Sequence, residues 1–254
     1  MFSIYHIIWV IISFVLIFVG VIYLKKNNPP LKKVLSFACV VSVVSELVKT
    51  FSVISLVPSS TGLQNNIYLE LEHVPLHLCS IQIILIFYTR FAKDGPLRDI
   101  ILAFMYPSCT IGAIFSIFIP TIFIDIYDPS QAFTHPHPYQ YFLYHVMLIV
   151  LGIYILISKQ VDLKPKHYFT TLGVLGIFAF FSLYFNSMVA TPKYIDAELI
   201  SVDYVGNFLF TYAPPIDIPL TQLWHWYLYL AIILTLALSL IALFYIPVFK
   251  RNKK

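Results

Sequence analysis

Long apolar runs dominate the hydrophobic pattern of the chain. Seven stretches approach the roughly 20 mostly apolar residues that a transmembrane helix needs. They cover about residues 4–24, 34–57, 74–91, 98–119, 138–157, 167–187 and 220–247. Because runs of this length show no period-two alternation, strands are not expected. The pattern predicts an all-α fold, a polytopic membrane bundle of seven transmembrane helices.

Composition supports a membrane protein and excludes several other classes. The chain has 254 residues, of which 59% are hydrophobic and 11% charged, and its mean hydropathy is +0.84. A typical soluble domain carries about 25% charged residues. A soluble enzyme, a nucleic-acid binder, a disordered chain and a disulfide scaffold are therefore excluded. Cys39, Cys79 and Cys109 fall within predicted helices without zinc-type spacing, so neither a metal nor a cofactor is expected.

The distribution of charge predicts the topology. Basic residues cluster between helices 1 and 2, 3 and 4, and 5 and 6, and again after helix 7, which places 14 of the 16 on one side. The opposite loops are acidic and contain Lys193 as their only basic residue. The positive-inside rule then predicts an extracytoplasmic N-terminus and a cytoplasmic C-terminus, which requires an odd number of helices. The net charge of +4 thus reflects topology, and no nucleic-acid partner is needed.

The chain shows no internal repeat or linker, so residues 1–254 are expected to form a single bundle in the cell membrane. The first apolar run lacks the basic start and cleavage site of a signal peptide and is expected to be retained. Pro107 is expected to bend the fourth helix. The predicted outer loops, at about residues 58–73, 120–137 and 188–219, are the longer ones, so function is expected on the outer side.

Ionisable residues inside apolar spans are candidates for function because they are costly in lipid. Glu46 and Lys49 lie three residues apart and share one face of helix 2. One interpretation is a mutual ion pair that fixes helix packing. The other is that Glu46 orients a catalytic histidine on another helix.

The start of helix 3 carries a candidate nucleophile. Pro75 suits a first helical turn, which places His77 and Cys79 within the first two turns. The positive end of the helix dipole favours a thiolate at Cys79. Because residues two apart point to nearly opposite faces, a base from another helix, such as His145 on helix 5, is expected instead of His77. The alternative is that Cys79 only packs and that His77 is an interfacial hydrogen-bonding residue.

Further polar residues fall in the same outer half. Asn186 ends helix 6, where it is a site residue, a helix C-cap or a residue that hydrogen-bonds to a neighbouring helix. His225 lies between two tryptophans that are typical of an interfacial belt. His77, Cys79, His145, Asn186 and His225 together predict one polar pocket that opens toward the outer leaflet. The His135–Pro138 segment resembles a metal-binding tract, but residues two apart in an extended chain do not converge, so no metal is expected.

The segment Pro75-Leu76-His77-Leu78-Cys79 resembles a motif of the YwaF-like family of bacterial integral membrane proteins. The resemblance covers about residues 70–250. His145, preceded by aromatics, matches a downstream helix of that family.

Later parts of the chain also resemble the family. Asn186, and Gly206-Asn207-Phe208-Leu209 before Pro214, resemble its late asparagine and Asn-aromatic segments. The chain departs from the family here, with longer spacing and with Phe208 where an Asn-Tyr pair is usual. The family is similar to a eukaryotic membrane family implicated in phospholipid acyl transfer through a cysteine, and more remotely to androgen-induced lipid hydrolases. The resemblance implies Cys79 as the acyl-accepting nucleophile and His145 or His77 as the base.

Three hypotheses follow for function. In the first, Cys79 attacks a lipid ester from the outer leaflet, His145 moves the proton, and Asn186 or helix-start amides stabilise the oxyanion. A membrane lipid is then the expected partner, with Asn186, His225, Glu46 and Asn207 contacting the substrate. The alternative is a transporter or binding protein for a small molecule or ion, with a His/Glu-lined pathway. The third is a structural subunit whose polar groups are satisfied internally.

Overall fold

A computed structural model of the chain describes residues 3–59, 62, 65–70, 73, 77–123, 128–195, 198–204, 207–214 and 218–251. The described residues are mostly helical. Their α-helices are α1 (Ile4–Asn27), α2 (Leu31–Val53), α3 (Leu78–Phe91), α4 (Pro96–Phe118), α5 (Pro136–Ile157), α6 (Lys166–Met188) and α7 (Leu223–Arg251). These bounds match the predicted spans to within a few residues at most ends.

Six of these helices are long and apolar enough to cross a membrane. The shorter one is α3, whose 14 residues extend about 21 Å at 1.5 Å per residue. A hydrocarbon core is about 30 Å thick. The chain is therefore a multi-pass membrane protein with six candidate spans and one shorter apolar helix.

Two antiparallel hairpins correct the expectation that strands are absent. Strands β1 (Ser55–Pro58) and β2 (Asn65–Tyr68) form one, and β3 (Ala190–Ile195) and β4 (Glu198–Tyr204) form the other. The second hairpin lies in the predicted outer loop 188–219, whereas β1 begins inside the predicted second span, 34–57, because α2 ends at Val53. The prediction was wrong there because it rested on the long apolar runs. Short strands in the connections pair locally and satisfy their backbone groups without an apolar run.

The helices and hairpins divide into two compact units. The first unit comprises Met1–Ile54 and Leu78–Leu163, and the second comprises Ser55–His77 and Lys164–Lys254. The first unit contains α1 to α5, and the second contains both hairpins, α6 and α7. The single bundle expected from the sequence stays a prediction.

Close packing of α4 against α5 forms the centre of the first unit. Gly152 of α5 makes this approach possible, because a Cβ atom there would lie 2.9 Å from the backbone oxygen of Tyr106 and would overlap the hydroxyl of Thr110. Helix α4 continues through Pro107, and its residues 102–110 are all buried. Helices α1 and α2 pack against α5, and α3 packs against α2 and α4.

Polar contacts hold the end of the first unit that carries the short connections. Arg98 at the start of α4 donates to the backbone oxygen of Thr89 over 2.8 Å and pairs with Asp94 at 3.0 Å. The backbone N–H of Leu31 donates to Gln160 Oε1 over 2.7 Å. This end, where α2 and α4 begin, is opposite the end where α3 and α5 begin.

The two helices of the second unit are less buried than α4 and α5 of the first. Only 11% of the most apolar part of α6 is buried, and 17% of that of α7. The hydroxyls of Thr171 and Tyr245 lie 3.0 Å apart and connect the two helices. Residues 207–213 form a folded loop that contains a short 3-10 helix, Phe208–Phe210.

Candidate functional site

The thiol of Cys79 lies between two helices of the first unit. Cys79 is the second residue of α3, is partly buried, and has its Sγ atom 3.6 Å from the Oγ atom of Ser116 on α4. The hydroxyl of Ser116 donates to the backbone oxygen of Gly112 over 3.1 Å. Since a carbonyl oxygen can only accept, the serine proton is already engaged, and the Cys79 S–H is the donor to Ser116.

Gly112 provides the space that the sulfur occupies. A Cβ atom at this position would lie 3.3 Å from the Sγ atom of Cys79 and 3.4 Å from Leu78 Cδ2. Contacts this short are tighter than ordinary van der Waals contact. The absence of a side chain at Gly112 therefore lets the start of α3 approach α4 at the thiol.

Two tyrosines of α5 hold this junction from the other side. The hydroxyl of Tyr144 donates to the backbone oxygen of Cys79 over 3.0 Å, and the hydroxyl of Tyr141 donates to that of Ser116 over 3.0 Å. The two residues are three apart, so they share one face of the helix. The Tyr144 hydroxyl also lies within electrostatic range of the Glu46 carboxylate. Side chains from α2, α3, α4 and α5 thus converge around Cys79.

His145 belongs to the same face of α5 and is 6% exposed. Its Nδ1 atom is 2.6 Å from the backbone oxygen of Tyr141, and its ring centroid is 4.5 Å from that of Tyr141. Because the carbonyl accepts, Nδ1 carries the hydrogen, and the neutral ring has its lone pair at Nε2. The hydrogen bond of the Cys79 sulfur goes to Ser116 and not to His145. His145 bonds to the backbone of Tyr141, and the hydroxyls of Tyr141 and Tyr144 bond to the backbone of Ser116 and of Cys79.

Glu46 and Lys49 form the mutual ion pair that was one of the two interpretations. The Nζ atom of Lys49 is 2.6 Å from Glu46 Oε1, and the two side chains are 15% and 33% exposed. The neighbouring Ser45 accepts a hydrogen bond of 2.5 Å from Gln140 Nε2 on α5. The pair therefore lies on the face of α2 that packs against α5, while a role of Glu46 toward a histidine stays a prediction.

A second polar group lies deeper between α3 and α4. Gln82 is fully buried, donates to Ser108 Oγ over 3.0 Å and accepts a bond of 3.1 Å from the Cys109 thiol. All three cysteines are free thiols. Cys109 differs from Cys79 because its partner is an amide oxygen that only accepts.

Asn186 anchors a loop of the second unit. Its side chain is 0% exposed. Its Nδ2 atom donates to the backbone oxygen of Phe208 over 3.1 Å and to Thr211 Oγ1 over 2.9 Å, while its Oδ1 atom accepts from the Phe208 N–H over 2.9 Å. Both amide hydrogens and the amide oxygen are thus engaged. The packing interpretation of Asn186 is seen here, but its partner is a loop and not a neighbouring helix.

His77 directly precedes α3, which begins at Leu78. The expectation that His77 lies inside the helix is therefore wrong. The chain at this point turns before it becomes helical, and the His77 ring lies 5.2 Å from that of Phe208. Pro75, Leu76 and Gly206, which carried part of the family resemblance, lie outside the described residues.

The two remaining candidates make local contacts in the second unit. Asn207 accepts from the Tyr212 N–H over 3.1 Å and donates to the backbone oxygen of Ala213 over 2.7 Å. His225 Nδ1 is 3.3 Å from Thr221 Oγ1, and its ring packs on Trp224 with centroids 3.9 Å apart. The roles of His77, Asn186, Asn207 and His225 in binding a substrate stay predictions.

Several residues around the thiol were not among those predicted from the sequence. Ser116, Gly112, Tyr141 and Tyr144 received no role, although the spacings 112/116 and 141/144/145 place each group on one helical face. Among the described residues, no group of three or more His, Cys, Asp or Glu side chains could hold a metal ion.

Residues 1–245 match the TMEM164 family. The chain belongs to the TMEM164 family. The match does not confirm the YwaF-like resemblance or a bacterial origin. No curated protein and no solved structure matches the chain.

Proposed function

We propose that this TMEM164-family protein is a membrane acyltransferase or hydrolase of lipid esters, with Cys79 as nucleophile and His145 as base. The observation that carries the proposal is the surroundings of Cys79. A thiol in the first turn of α3 is bonded to Ser116 and bordered by Tyr144, and a buried imidazole with its lone pair at Nε2 lies on the same helical face. Polar groups are costly within a membrane, so such a convergence is itself an argument for function.

In the proposed reaction, Nε2 of His145 accepts the Cys79 proton and the thiolate attacks the ester carbonyl. A carbon–sulfur bond forms, the carbon–oxygen bond of the ester breaks, and the leaving alkoxide takes the proton back from His145. Water or the hydroxyl of an acceptor lipid then gives its proton to His145 and attacks the thioester. A carbon–oxygen bond forms, the carbon–sulfur bond breaks, and the Cys79 thiolate takes the proton from His145. Backbone amides at the start of α3 would stabilise the oxyanion.

The resting contact of Cys79 with Ser116 is compatible with this chemistry. Hydrogen bonds between a nucleophile and its base are often long or absent without substrate and tighten in the productive complex. The proposal therefore requires a shift that brings the sulfur and Nε2 of His145 together when a lipid ester binds.

The proposed orientation is supported by the charges of each unit. Arg98 and Lys32 mark the end of the first unit with short connections, and Cys79 lies at the opposite end. With these basic residues on the cytoplasmic side, the thiol faces the outer leaflet and the N-terminus is extracytoplasmic. Lys250 and Arg251 in the last turn of α7 support a cytoplasmic C-terminus by the same rule. The packing of α3 along α2 and α4 supports counting it as the seventh span.

The test uses purified protein in phosphatidylcholine vesicles with a radiolabelled acyl chain. Wild type should release or transfer the label and carry a hydroxylamine-sensitive acyl group on Cys79. Cys79→Ala should abolish both signals, and His145→Gln should slow turnover by about 10²- to 10⁴-fold, the usual contribution of a general base.

Cys39→Ala is the matched control, since Cys39 is a free thiol on α2 and should leave both signals unchanged. Full activity of Cys79→Ala, or label found only on another residue, would contradict the proposal. Transport of a labelled solute that survives Cys79→Ala would favour the alternative function instead.

A further inference from the structure

The Ser116 hydroxyl is placed to interact with both protonation states of Cys79. We infer that Ser116 is a positioning residue for Cys79 that accepts the thiol proton at rest and donates to the thiolate once that proton leaves. The catalytic meaning of this inference rests on the proposed function, but the geometry does not. It adds a residue that the sequence analysis did not single out.

The first step is the resting hydrogen-bond pattern. Ser116 donates to the Gly112 carbonyl over 3.1 Å, and its oxygen faces the Cys79 sulfur at 3.6 Å. A hydroxyl has one hydrogen and two lone pairs, and its hydrogen rotates without movement of the oxygen. A rotation about the Cβ–Oγ bond therefore turns Ser116 from an acceptor of the S–H into a donor to the sulfur.

The second step is the cost of that rotation. Gly112 and Ser116 are four residues apart within α4, so the Gly112 carbonyl is also the helical acceptor of the Ser116 backbone N–H. The carbonyl keeps a partner when the hydroxyl leaves it. The hydroxyl gains a bond to an ionised sulfur, and charge-assisted bonds are about twice as strong as neutral ones. Rotation is thus favoured when the sulfur is charged.

The third step is that the backbone of α4 at Ser116 is held in place. Tyr141 donates to the Ser116 backbone oxygen over 3.0 Å, and His6 Nε2 lies 2.9 Å from the backbone oxygen of Ile117, to which it donates. Helices α5 and α1 therefore fix the end of α4 from two sides. On the other side, the missing side chain of Gly112 leaves the sulfur in contact.

The titratable groups near Cys79 come from three further elements. Tyr141 and Tyr144 of α5 and Cys109 of α4 are within electrostatic range of its sulfur, and Glu46 of α2 is within range of Tyr144. A hydroxyl that donates directly to the sulfur stabilises the thiolate form.

The experiment measures alkylation of Cys79 by iodoacetamide in detergent-solubilised full-length protein between pH 7 and pH 10. Mass spectrometry assigns the label to each cysteine. Ser116→Ala should lower the Cys79 rate at pH 8 by about tenfold, as expected for a lost hydrogen bond to a charged group, and move the profile to higher pH. Ser116→Thr keeps the hydroxyl and should restore most of the rate.

Ser108→Ala is the matched control, because Ser108 lies on α4 but bonds to Gln82. It should leave the Cys79 rate within about twofold of wild type, well below the effect of a direct bond to the sulfur. A Ser116→Ala rate equal to or above that of wild type would overturn the inference.

Gly112→Ala keeps the test decisive if Ser116→Ala does not fold. Its methyl group would stand 3.3 Å from the sulfur, which must then shift by a few tenths of an ångström. The hydrogen bond of the sulfur to Ser116, already 3.6 Å long, should lengthen, so the Cys79 rate should again fall. An unchanged rate in that variant would also overturn the inference. Alkylation needs no lipid turnover, so slower labelling in Ser116→Ala together with full lipid activity in Cys79→Ala would reject the proposed function alone.

Discussion

The central helix pair of the first unit and the two helices of the second unit differ in how far their apolar residues are buried. In the central pair, 61% of the most apolar part of α4 and 56% of that of α5 are buried, against 11% for α6 and 17% for α7 in the second unit. All four helices are apolar enough to span a membrane. Apolarity therefore identifies a membrane helix but does not tell whether protein or lipid covers it. Glycines and polar side chains carry that information.

The polar groups of the two units also differ in whether their hydrogen bonds can change. Asn186 in the second unit uses both hydrogens and its oxygen to hold residues 208–211. Cys79 in the first unit has a partner, Ser116, that can change from acceptor to donor. A fully satisfied amide fixes a structure, whereas a rotatable hydroxyl beside a thiol permits a change of protonation.

The largest expected effect comes from Asn186→Ala. The change removes the hydrogen-bond partner of the buried Phe208 N–H, whereas the Phe208 carbonyl and the Thr211 hydroxyl lose the amide but keep their bond to each other. An unsatisfied buried group costs about 1–3 kcal/mol and each lost hydrogen bond about 1 kcal/mol, so the free energy of unfolding should fall by about 3 kcal/mol. Thermal unfolding in detergent and protease cleavage within residues 207–214 measure the effect.

Asn207→Ala is the matched control for that experiment. Asn207 makes a similar set of bonds to Tyr212 and Ala213, but its contacts are partly exposed to the surroundings. The backbone groups of Tyr212 and Ala213 that lose their partner can then be solvated. The free energy of unfolding should therefore fall by only about 1 kcal/mol, the net value of an ordinary hydrogen bond. Equal losses in the two variants would contradict the view that Asn186 is the buried anchor.

The next effect tests the packing contrast through glycine. Gly152→Ala would bring a methyl group against the Tyr106 backbone oxygen and Thr110, forcing α4 and α5 apart. Overpacking of this kind costs about 1–3 kcal/mol. Gly176→Ala on α6 meets nothing within 4 Å and should be neutral or stabilise the helix by up to about 1 kcal/mol. Unfolding midpoints of the two variants measure the difference. A loss of stability in Gly176→Ala as large as that in Gly152→Ala would contradict the view that α5 is tightly packed at Gly152 and α6 is open at Gly176.

Much of the helical framework could be predicted because transmembrane helices follow from local composition alone. The observed helices begin and end within a few residues of the apolar runs at most positions. The hairpins could not be predicted in this way, because β1–β2 and β3–β4 are short and depend on pairing and not on an apolar run. The start of α3 was placed too early for a similar reason, since Pro75 and His77 are compatible with either a turn or a helix.

The candidate site was predictable only in part. Cys79, His145 and Glu46 were found because ionisable residues in apolar spans are rare. Ser116 and Tyr144 were missed because serine and tyrosine are common in such spans, and their roles come from contacts between helices. For Asn186, the sequence identified the residue but not its partner, since residues 207–213 carry no periodic pattern.

A smaller effect concerns the ion pair of the first unit. Glu46→Gln or Lys49→Met leaves one charge of a partly buried pair without its partner, and each should lower the free energy of unfolding by about 1–2 kcal/mol, less than a fully buried pair would. The double variant should recover part of the loss. A double-mutant cycle in detergent measures the coupling.

The cycle also separates the two interpretations of Glu46. If the carboxylate acts only toward Lys49, the Cys79 alkylation rate should equal that of wild type in Glu46→Gln, in Lys49→Met and in the double variant. A lower rate in Glu46→Gln and in the double variant, with a wild-type rate in Lys49→Met, would instead favour the second interpretation, in which Glu46 acts toward a histidine on another helix.

The smallest effect contrasts an exposed loop anchor with the buried amide of Asn186. Asp128 caps the 3-10 helix Pro129–Phe133 of the first unit, and its Oδ1 atom accepts from the Ser130 N–H over 2.7 Å. The hydroxyl and backbone N–H of Ser130 hold the pKa of the Asp128 carboxyl below its usual range. Because the folded pKa lies below the unfolded value of about 3.9, the cap contributes fully above that pH and is lost as the pH falls through the folded value.

Titration of the Asp128 carboxyl carbon by NMR should therefore give a midpoint below that of an unstructured aspartate, and Ser130→Ala should raise it. A midpoint at the unstructured value would mean that the cap contributes nothing. Asp128→Asn should make this loop insensitive to acid, because an amide caps without titrating. The loop at residues 207–213 should already behave in that way, since its anchor Asn186 carries no charge. A buried amide thus fixes a loop at any pH, whereas an exposed carboxylate does so only while it is ionised.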